Sequence, residues 1–181
     1  RNFREVKDFL AAVRAGKDLE WRYEIAVRDS REKGATQDYR IHVGESMGEG
    51  LRILWIHSKA KERLEGSNRE RRIAKAEQAL EKLSCVLNQR ALKTREQIEK
   101  AIKKAAQGAS VYLGVTIHED RTSERVQVGR GRPGPNTRYE DKESVNYRLE
   151  WARDEDEIAR ARRSDGLFPL VDNTSLAPLE V

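Results

Sequence analysis

Residues 59–108 read KAKERLEGSNRERRIAKAEQALEKLSCVLNQRALKTREQIEKAIKKAAQG. This stretch contains fourteen Lys and Arg against seven Asp and Glu, whereas the formal net charge of the entire chain is +5. The positive charge is therefore concentrated here, and the rest of the chain is close to neutral. Because each neutralised phosphate releases condensed counterions, a localised basic surface favours a polyanionic partner.

The same stretch is patterned as two helices. A capping box formed by Thr94 and Gln97 predicts the start of the second helix, which ends at Gly108. We therefore expect a helical hairpin whose apolar stripes pack on each other or on a neighbouring sheet. The apolar residues that keep helical spacing in the first helix, within about Asn68 to Asn88, are Ile73, Leu80, Leu83 and Leu87.

Strand patterns precede the hairpin. Residues Leu19 to Val27 alternate apolar and polar side chains, and Asp38 to Val43 repeats that alternation. Leu51 to Ile56 is a nearly continuous apolar run, which is typical of a strand covered on both faces. With a turn predicted at Gly44 to Gly50, the three strands indicate an antiparallel meander.

Strand patterns also follow the hairpin. Three short segments alternate, at Val111 to Ile117, Val126 to Val128 and Val145 to Trp151. The segment Gly129 to Pro135, which reads GRGRPGP, is predicted to be a loop because repeated Gly and Pro interrupt regular structure.

The two ends of the chain complete an α+β prediction. A helix is expected from Asn2 to Val13, with Gly16 ending it, and a short helix from Asp154 to about Arg162. Asp165, before Gly166, is interpreted as a turn residue. Leu167 to Val171 is predicted as a buried strand, and Ser175 as the cap of a further helix.

Composition limits the classes of protein that fit. A chain of 181 residues suits one domain, or one domain with an appended subdomain, and 37% hydrophobic residues allow only a lean core. Cys85 is the single cysteine, so no internal disulfide can form, and we expect it to be a small core residue. No apolar run approaches the roughly 20 residues that span a bilayer, so no membrane span is predicted. The chain begins with Arg1 and ends at Val181, and we interpret it as a piece of a longer protein.

The sequence contains no convincing catalytic or metal-binding set. His42, His57 and His118 are scattered without a second ligand one helical turn away, and structural roles are expected for them. The acidic residues from Asp154 to Glu157 could chelate a hard cation, but acids at a helix N-terminus that complement the dipole are the simpler interpretation. We therefore assign no catalytic, cofactor-binding or metal-binding residue in this chain.

Two basic elements are candidates for contact with DNA. The second helix has five cations along its length, and the Gly/Pro loop has two more. Glycine allows a main chain to approach a phosphate backbone closely, although a merely solvated loop is an equally simple interpretation. The predicted DNA-binding residues are Lys93, Arg95, Lys100, Lys103, Lys104, Arg130 and Arg132.

The order of several pieces resembles a known family. The strand Leu51 to Ser58 leads into an Arg-rich helix, followed by Ala91 to Glu96 and by Arg130 to Tyr139. Last come Asp165 to Val171 and Asn173. Together these pieces are similar to the C-terminal half of bacterial insertion-sequence transposases of the IS-four type, within the DDE superfamily.

That resemblance implies a ribonuclease-H-like core whose three carboxylates bind two divalent cations, such as Mg²⁺, for phosphoryl transfer on DNA. It implies that residues 1–18 flank the core and that 19–163 form an insertion. The insertion would hold strands 19–57, the hairpin 59–108, strands 111–153 and the helix 154–163. Residues 164–181 would return to the core as a strand and a helix start. The catalytic acids would lie outside these residues, so this piece by itself is expected to be inactive.

The resemblance also implies partners and a location. Transposon-end DNA is the expected partner, a homodimer of the full-length protein is possible, and the compartment would be the bacterial cytoplasm at the nucleoid. A rival hypothesis is a protein-interaction module that uses the helical hairpin without any enzymatic role. A third, a self-contained enzyme, conflicts with the missing acids.

Overall fold

The computed structural model of the chain describes residues 4–28, 34–48, 51–89, 92–129, 131–134 and 137–173. The fold is α+β with antiparallel sheets, as predicted. In chain order the elements are α1 (Arg4–Arg14), β1 (Tyr23–Arg28), β2 (Thr36–Gly48), β3 (Leu51–Ser58), α2 (Lys59–Cys85), α3 (Arg95–Ala105), β4 (Leu113–Gln127), β5 (Tyr139–Arg153), α4 (Glu155–Arg162) and β6 (Leu167–Asp172).

The chain divides into two compact units. The first consists of Arg1–Arg71 together with Glu155–Val181, and the second of Arg72–Asp154. Helix α2 begins in the first unit and ends in the second. The second unit is thus one continuous stretch of chain, and the segments before and after it together form the first unit.

A four-stranded sheet forms the centre of the first unit, with strand order β1-β2-β3-β6 and every pair antiparallel. The predicted meander is confirmed, and so is the expectation that β3 is covered on both faces. Its residues Ile53, Leu54 and Trp55 are all buried, and Phe9 of α1 stacks on the Trp55 ring at 3.9 Å. β6 lies at the sheet edge, the position where a strand tolerates Pro169.

Two boundaries in this sheet differ from the prediction. β1 begins at Tyr23 rather than Leu19. Before Tyr23, outside the paired residues of β1 and β2, Nδ1 of the His42 ring lies 2.8 Å from the carbonyl oxygen of Glu20. β2 continues to Gly48, so a turn beginning at Gly44 is wrong, and the ladder absorbs the additional residues as register shifts after Val43. Residues 49 and 50 lie outside the described part of the chain.

The helices of the first unit agree with the prediction at their ends. α1 stops at Arg14, and Gly16 follows with φ of 109°, a conformation that glycine adopts without a Cβ penalty. α4 covers Glu155–Arg162 as predicted. Arg14 joins the two helices, because its Nε donates to the Ser164 hydroxyl at 2.9 Å just after α4. The helix predicted from Ser175 lies outside the described residues.

The second unit contains the later part of α2, helix α3 and a two-stranded antiparallel ribbon. β4 and β5 pair without interruption from Leu113 opposite Arg153 to Gln127 opposite Tyr139. The three short strands predicted here are therefore wrong: there are two long ones, because cross-strand pairing continues through polar residues that carry no apolar alternation. The Gly/Pro segment connects them as a loop, as expected, over its described residues.

The core of the second unit lies between the two helices and the base of the ribbon. Its most buried members are Leu87, Ile98 and Leu149, around which Leu83 of α2 and Ile102 of α3 also pack. The apolar stripes of the two helices thus pack on each other and also on the sheet. Both of the packing partners expected from the sequence are present. α2 itself begins at Lys59, directly after β3, and not near Asn68.

Candidate nucleic-acid interface

The start of α3 is set by the predicted capping box. Thr94 has extended backbone angles, its hydroxyl accepts from the Gln97 N–H, and the Gln97 side-chain oxygen accepts from the Thr94 N–H at 3.3 Å. With this end defined, the helical repeat of 100° per residue determines where each lysine of α3 lies. Ile98 is fully buried, so lysines on the other faces are directed to solvent.

Lys100, Lys103 and Lys104 are all exposed on α3. Over the described part of the chain, none of the three makes a salt bridge to a carboxylate. Lys93, just before the cap, is also exposed, and its backbone N–H donates to the Gln97 side-chain oxygen at 3.2 Å, while its ammonium makes no salt bridge to a carboxylate among the described residues. These four lysines therefore keep their charge available to an external anion.

Lys104 also borders a groove between α2 and α3 inside the second unit. The groove has a volume of about 830 Å³. Its rim carries four cations, of which three come from α2, and no Asp or Glu is found among the described residues that line it. The rim cations are Arg72, Lys75, Lys82 and Lys104, and the apolar floor consists of Ala76, Ala79, Leu83, Ala101 and Ala105.

The α2 cations of this groove were not assigned from the sequence. Lys75 and Lys82 are seven residues apart, and seven residues return an α-helix to nearly the same face. Arg72 lies three residues before Lys75 on that face. That spacing could have indicated a cationic face on α2. The position of these cations next to Lys104 depends on the packing of α3 against α2.

Arg95 differs from the other predicted DNA-binding residues. Its Nε donates to Glu99 at 2.9 Å and its Nη1 donates to Glu119 of β4 at 3.0 Å. These carboxylates raise the pKa of Arg95, with the hydrogen bond to Glu99 as the largest cause. Although exposed, the guanidinium is already neutralised by protein groups, so it is a poorer phosphate ligand than the lysines.

Of the two arginines predicted on the loop, the structure describes Arg132, which lies between the ends of β4 and β5. Arg132 is exposed there, between Gly131 and Pro133. Arg130 lies outside the described residues. Near the loop, the guanidinium of Arg125 sits 5.2 Å from the centre of the Tyr139 ring.

The histidines take protein partners. Buried His57 contacts Glu62 at 3.1 Å, and His118 contacts Glu150 at 2.8 Å across the ribbon. Within the described ranges, no group of three or more His, Cys, Asp or Glu side chains could hold a metal ion. Cys85 is exposed, so its assignment to the core is wrong: the apolar stripe continues through Leu83 and Leu87 instead.

Comparison with known proteins identifies no relative. No protein-family model, no curated protein and no solved structure matches the chain. Among the helices that the structure describes, none combines the length and apolar character needed to cross a membrane.

Proposed function

We propose that this chain is the DNA-contacting, non-catalytic part of a transposase of the DDE superfamily, taking part in cut-and-paste movement of an insertion sequence. The observation that carries the proposal is the groove between α2 and α3, where cations from two helices converge and no carboxylate stands among the described lining residues. A surface of this kind attracts the phosphate backbone through charge, and its contacts carry no sequence information.

The topology supports an inserted position for the basic unit. β6 pairs with β3 although they lie more than 100 residues apart, and Arg52 of β3 donates to Asp172 of β6 at 2.6 Å. Residues 72–154 leave and rejoin this unit, and they fall inside the predicted insertion 19–163. We propose that β6 is the strand that returns into a ribonuclease-H-like core, and that 72–154 carries the DNA contacts.

The parent enzyme would use Mg²⁺ bound by carboxylates outside this chain, to which no residue here is assigned. The chain alone is then expected to bind duplex DNA and to cut nothing in the presence of Mg²⁺ or Mn²⁺. Cleavage by the purified chain would contradict the proposal that the catalytic carboxylates lie outside it.

The experiment compares the salt dependence of duplex binding for two triple variants of equal charge. Lys75, Lys82 and Lys104→Gln removes three groove cations, and the slope of log K against log salt should fall by about 0.9 for each phosphate that is no longer neutralised. Arg121, Lys142 and Arg148→Gln removes three exposed cations from the ribbon below its loop, and it should leave the slope close to that of the parent chain. Equal effects of the two variants would mean that net charge, rather than the groove, attracts the DNA.

A second candidate function is supported by the floor of the same groove. It is apolar, and Val86 at its edge is 45% exposed, as in a site that receives the apolar face of a helix. A module of this kind would self-associate or bind a protein in a manner insensitive to salt. Size-exclusion chromatography with and without duplex DNA, at low and high salt, separates it from the DNA-binding proposal.

A further inference from the structure

The floor of the groove between α2 and α3 is an apolar feature that contact with DNA does not use. Phosphate and sugar are bound by cations, hydroxyls and N–H groups, and a row of methyl groups offers none of these. The floor alanines come from both helices, namely Ala76 and Ala79 of α2 and Ala101 and Ala105 of α3. Leu83 and Val86 extend this apolar surface along α2. An occupant with an apolar surface of its own would use it.

The groove has the length and the shape of a helix-packing site. Its lining extends from Arg72 to Val86 along α2, which is about 21 Å at 1.5 Å per residue, or about four helical turns. Alanine at the floor lets another helix approach closely, and a helix that packs on two others inserts its ridge of side chains into the groove between them. A helix of about four turns therefore matches the groove along its length.

The floor remains accessible within the second unit. Ala79, Ala101 and Ala105 are only partly buried, and Val86 at the edge of the groove is 45% exposed. Contiguous apolar surface with a polar rim is typical of a site that a partner removes from water. The described residues of the unit thus leave the groove open to a partner.

The rim decides which kind of helix fits. Arg72, Lys75 and Lys82 line the α2 side, Lys104 lines the α3 side, and the described lining residues include no Asp or Glu. A helix in the groove would turn its apolar stripe to the floor and its flanking side chains to the two rims, as the e and g positions do in coiled coils. Acidic flanks would pair with the rim cations, whereas basic flanks would place like charges together.

The described helices of a second copy of the chain do not supply such an occupant. Phe9 of α1 stacks on Trp55 of the sheet, and Ile158 of α4 is only 1% exposed, so both helices already use their apolar faces. Helices α2 and α3 pack on each other and on the ribbon. These faces are not available to the groove of another copy, which favours a different protein as the source of the helix.

We propose that the groove between α2 and α3 receives an acidic amphipathic helix of a partner protein, and that this helix excludes DNA while it is bound. The exclusion rests on the proposed DNA-binding function, because both occupants pair with Lys75, Lys82 and Lys104. The partner is then a regulator of DNA binding. A helix held by apolar contact alone would not need acids on its flanks, and DNA would not keep a hold on the floor when salt screens the charges.

The test uses three synthetic helical peptides of about 18 residues and measures their binding to the full chain by fluorescence anisotropy. The first has a stripe of Leu with Glu on both flanks, the second has Lys in place of Glu, and the third has the composition of the first in an order without a stripe. We expect the first to bind at least about tenfold more tightly than the other two and to displace a labelled duplex. Equal binding of the first and third peptides would overturn the inference, because charge alone would then explain it.

Variants locate the peptide in the groove. Ala79→Gln places a long neutral side chain on the floor and should weaken binding of the Glu-flanked peptide about tenfold. Ala60→Gln makes the same change at an exposed position of α2 outside the groove and should keep the affinity of the parent chain. Thermal unfolding of both variants establishes that the fold is intact. Equal affinities of the two variants would exclude the groove as the peptide site.

Failure of the inference and failure of the proposed function give different results. A chain that binds duplex DNA but not the Glu-flanked peptide would overturn the inference and leave DNA binding intact. A chain that binds the peptide but no duplex would reject the proposed function while the docking of the helix would stand. Simultaneous binding of peptide and duplex would overturn the exclusion of DNA.

Discussion

Arg69 of α2 and Asp165, just before β6, form a bidentate ion pair in the first unit. The two guanidinium nitrogens donate to the two carboxylate oxygens at 2.9 and 2.6 Å, and the side chains are only 5% and 11% exposed. The sequence pattern indicates only a turn residue at Asp165. The ion pair ties helix α2 to the segment just before β6, which a turn residue alone would not do.

Removing one member of this pair should be strongly destabilising. Asp165→Ala leaves a buried guanidinium without its counter-charge, and we expect a loss of about 3–5 kcal/mol in the free energy of unfolding. Urea denaturation measures it. The matched control is the double variant Arg69→Met with Asp165→Leu, which removes both charges and should recover much of the loss. A single variant as stable as the parent chain would contradict the proposed role.

His57 should make stability depend on pH. Burial is the largest cause that lowers its pKa below the ordinary value of 6.5, followed by the charge of Arg40, while Glu62 acts in the opposite direction. Because the unfolded state takes up a proton on His57 at higher pH than the folded state, stability is full above pH 6.5 and falls as the pH is lowered towards the folded-state pKa. Unfolding at pH 7.5 and 5.5 tests this, and His57→Gln should flatten the difference between the two. The same pH dependence in that variant would assign the effect to another group.

Arg95 should contribute less to DNA binding than Lys104, although both were predicted as ligands and both lie on α3. Two carboxylates already hold the Arg95 guanidinium, whereas Lys104 borders the cationic groove. Lys104→Gln should lower the salt slope of binding by about 0.9, and Arg95→Gln should leave it nearly unchanged. Fluorescence anisotropy across a salt series is the measurement. An equal reduction for both variants would show that DNA displaces the carboxylates.

The capping box at Thr94 should stabilise the second unit measurably. Thr94→Ala removes the acceptor for the Gln97 N–H and is expected to cost about 1 kcal/mol. Thr94→Ser keeps a hydroxyl at the same position and serves as the control, with a stability close to that of the parent chain. Chemical denaturation measures the free energy of unfolding of the parent chain and the two variants. Equal values for the Ala and Ser variants would show that the Thr94 hydroxyl does not stabilise the helix.

Gly166 should be far less replaceable than Gly34, although both have positive φ, at 79° and 87°. A Cβ on Gly166 would lie 2.7 Å from the Ser58 carbonyl oxygen, whereas a Cβ on Gly34 would meet no atom of the described residues within 4 Å. Gly34→Ala should therefore cost only the backbone strain of about 1–2 kcal/mol, and Gly166→Ala clearly more because β3 must shift. The melting temperatures of the two variants are compared directly. Similar values would show that the main chain around Ser58 and Gly166 shifts at little cost in free energy.

Features that depend on neighbours within a few residues could be predicted from the sequence. The Thr94 cap, the end of α1 near Gly16, the buried run in β3 and the short helix α4 were all predicted correctly. Capping and helical or strand periodicity operate over a turn of helix or a few residues of strand, so one local stretch contains the whole signal.

Contacts between residues far apart in the chain could be seen only once the elements were packed together. The Arg69–Asp165 pair joins positions 96 residues apart, and the Arg52–Asp172 pair joins positions 120 apart. The groove combines α2 cations with Lys104, and the ribbon continues through residues whose own pattern is not strand-like. Such contacts are set by which elements pack together, because burial and charge pairing act through space, and a linear pattern of side chains does not record which distant residue becomes a neighbour.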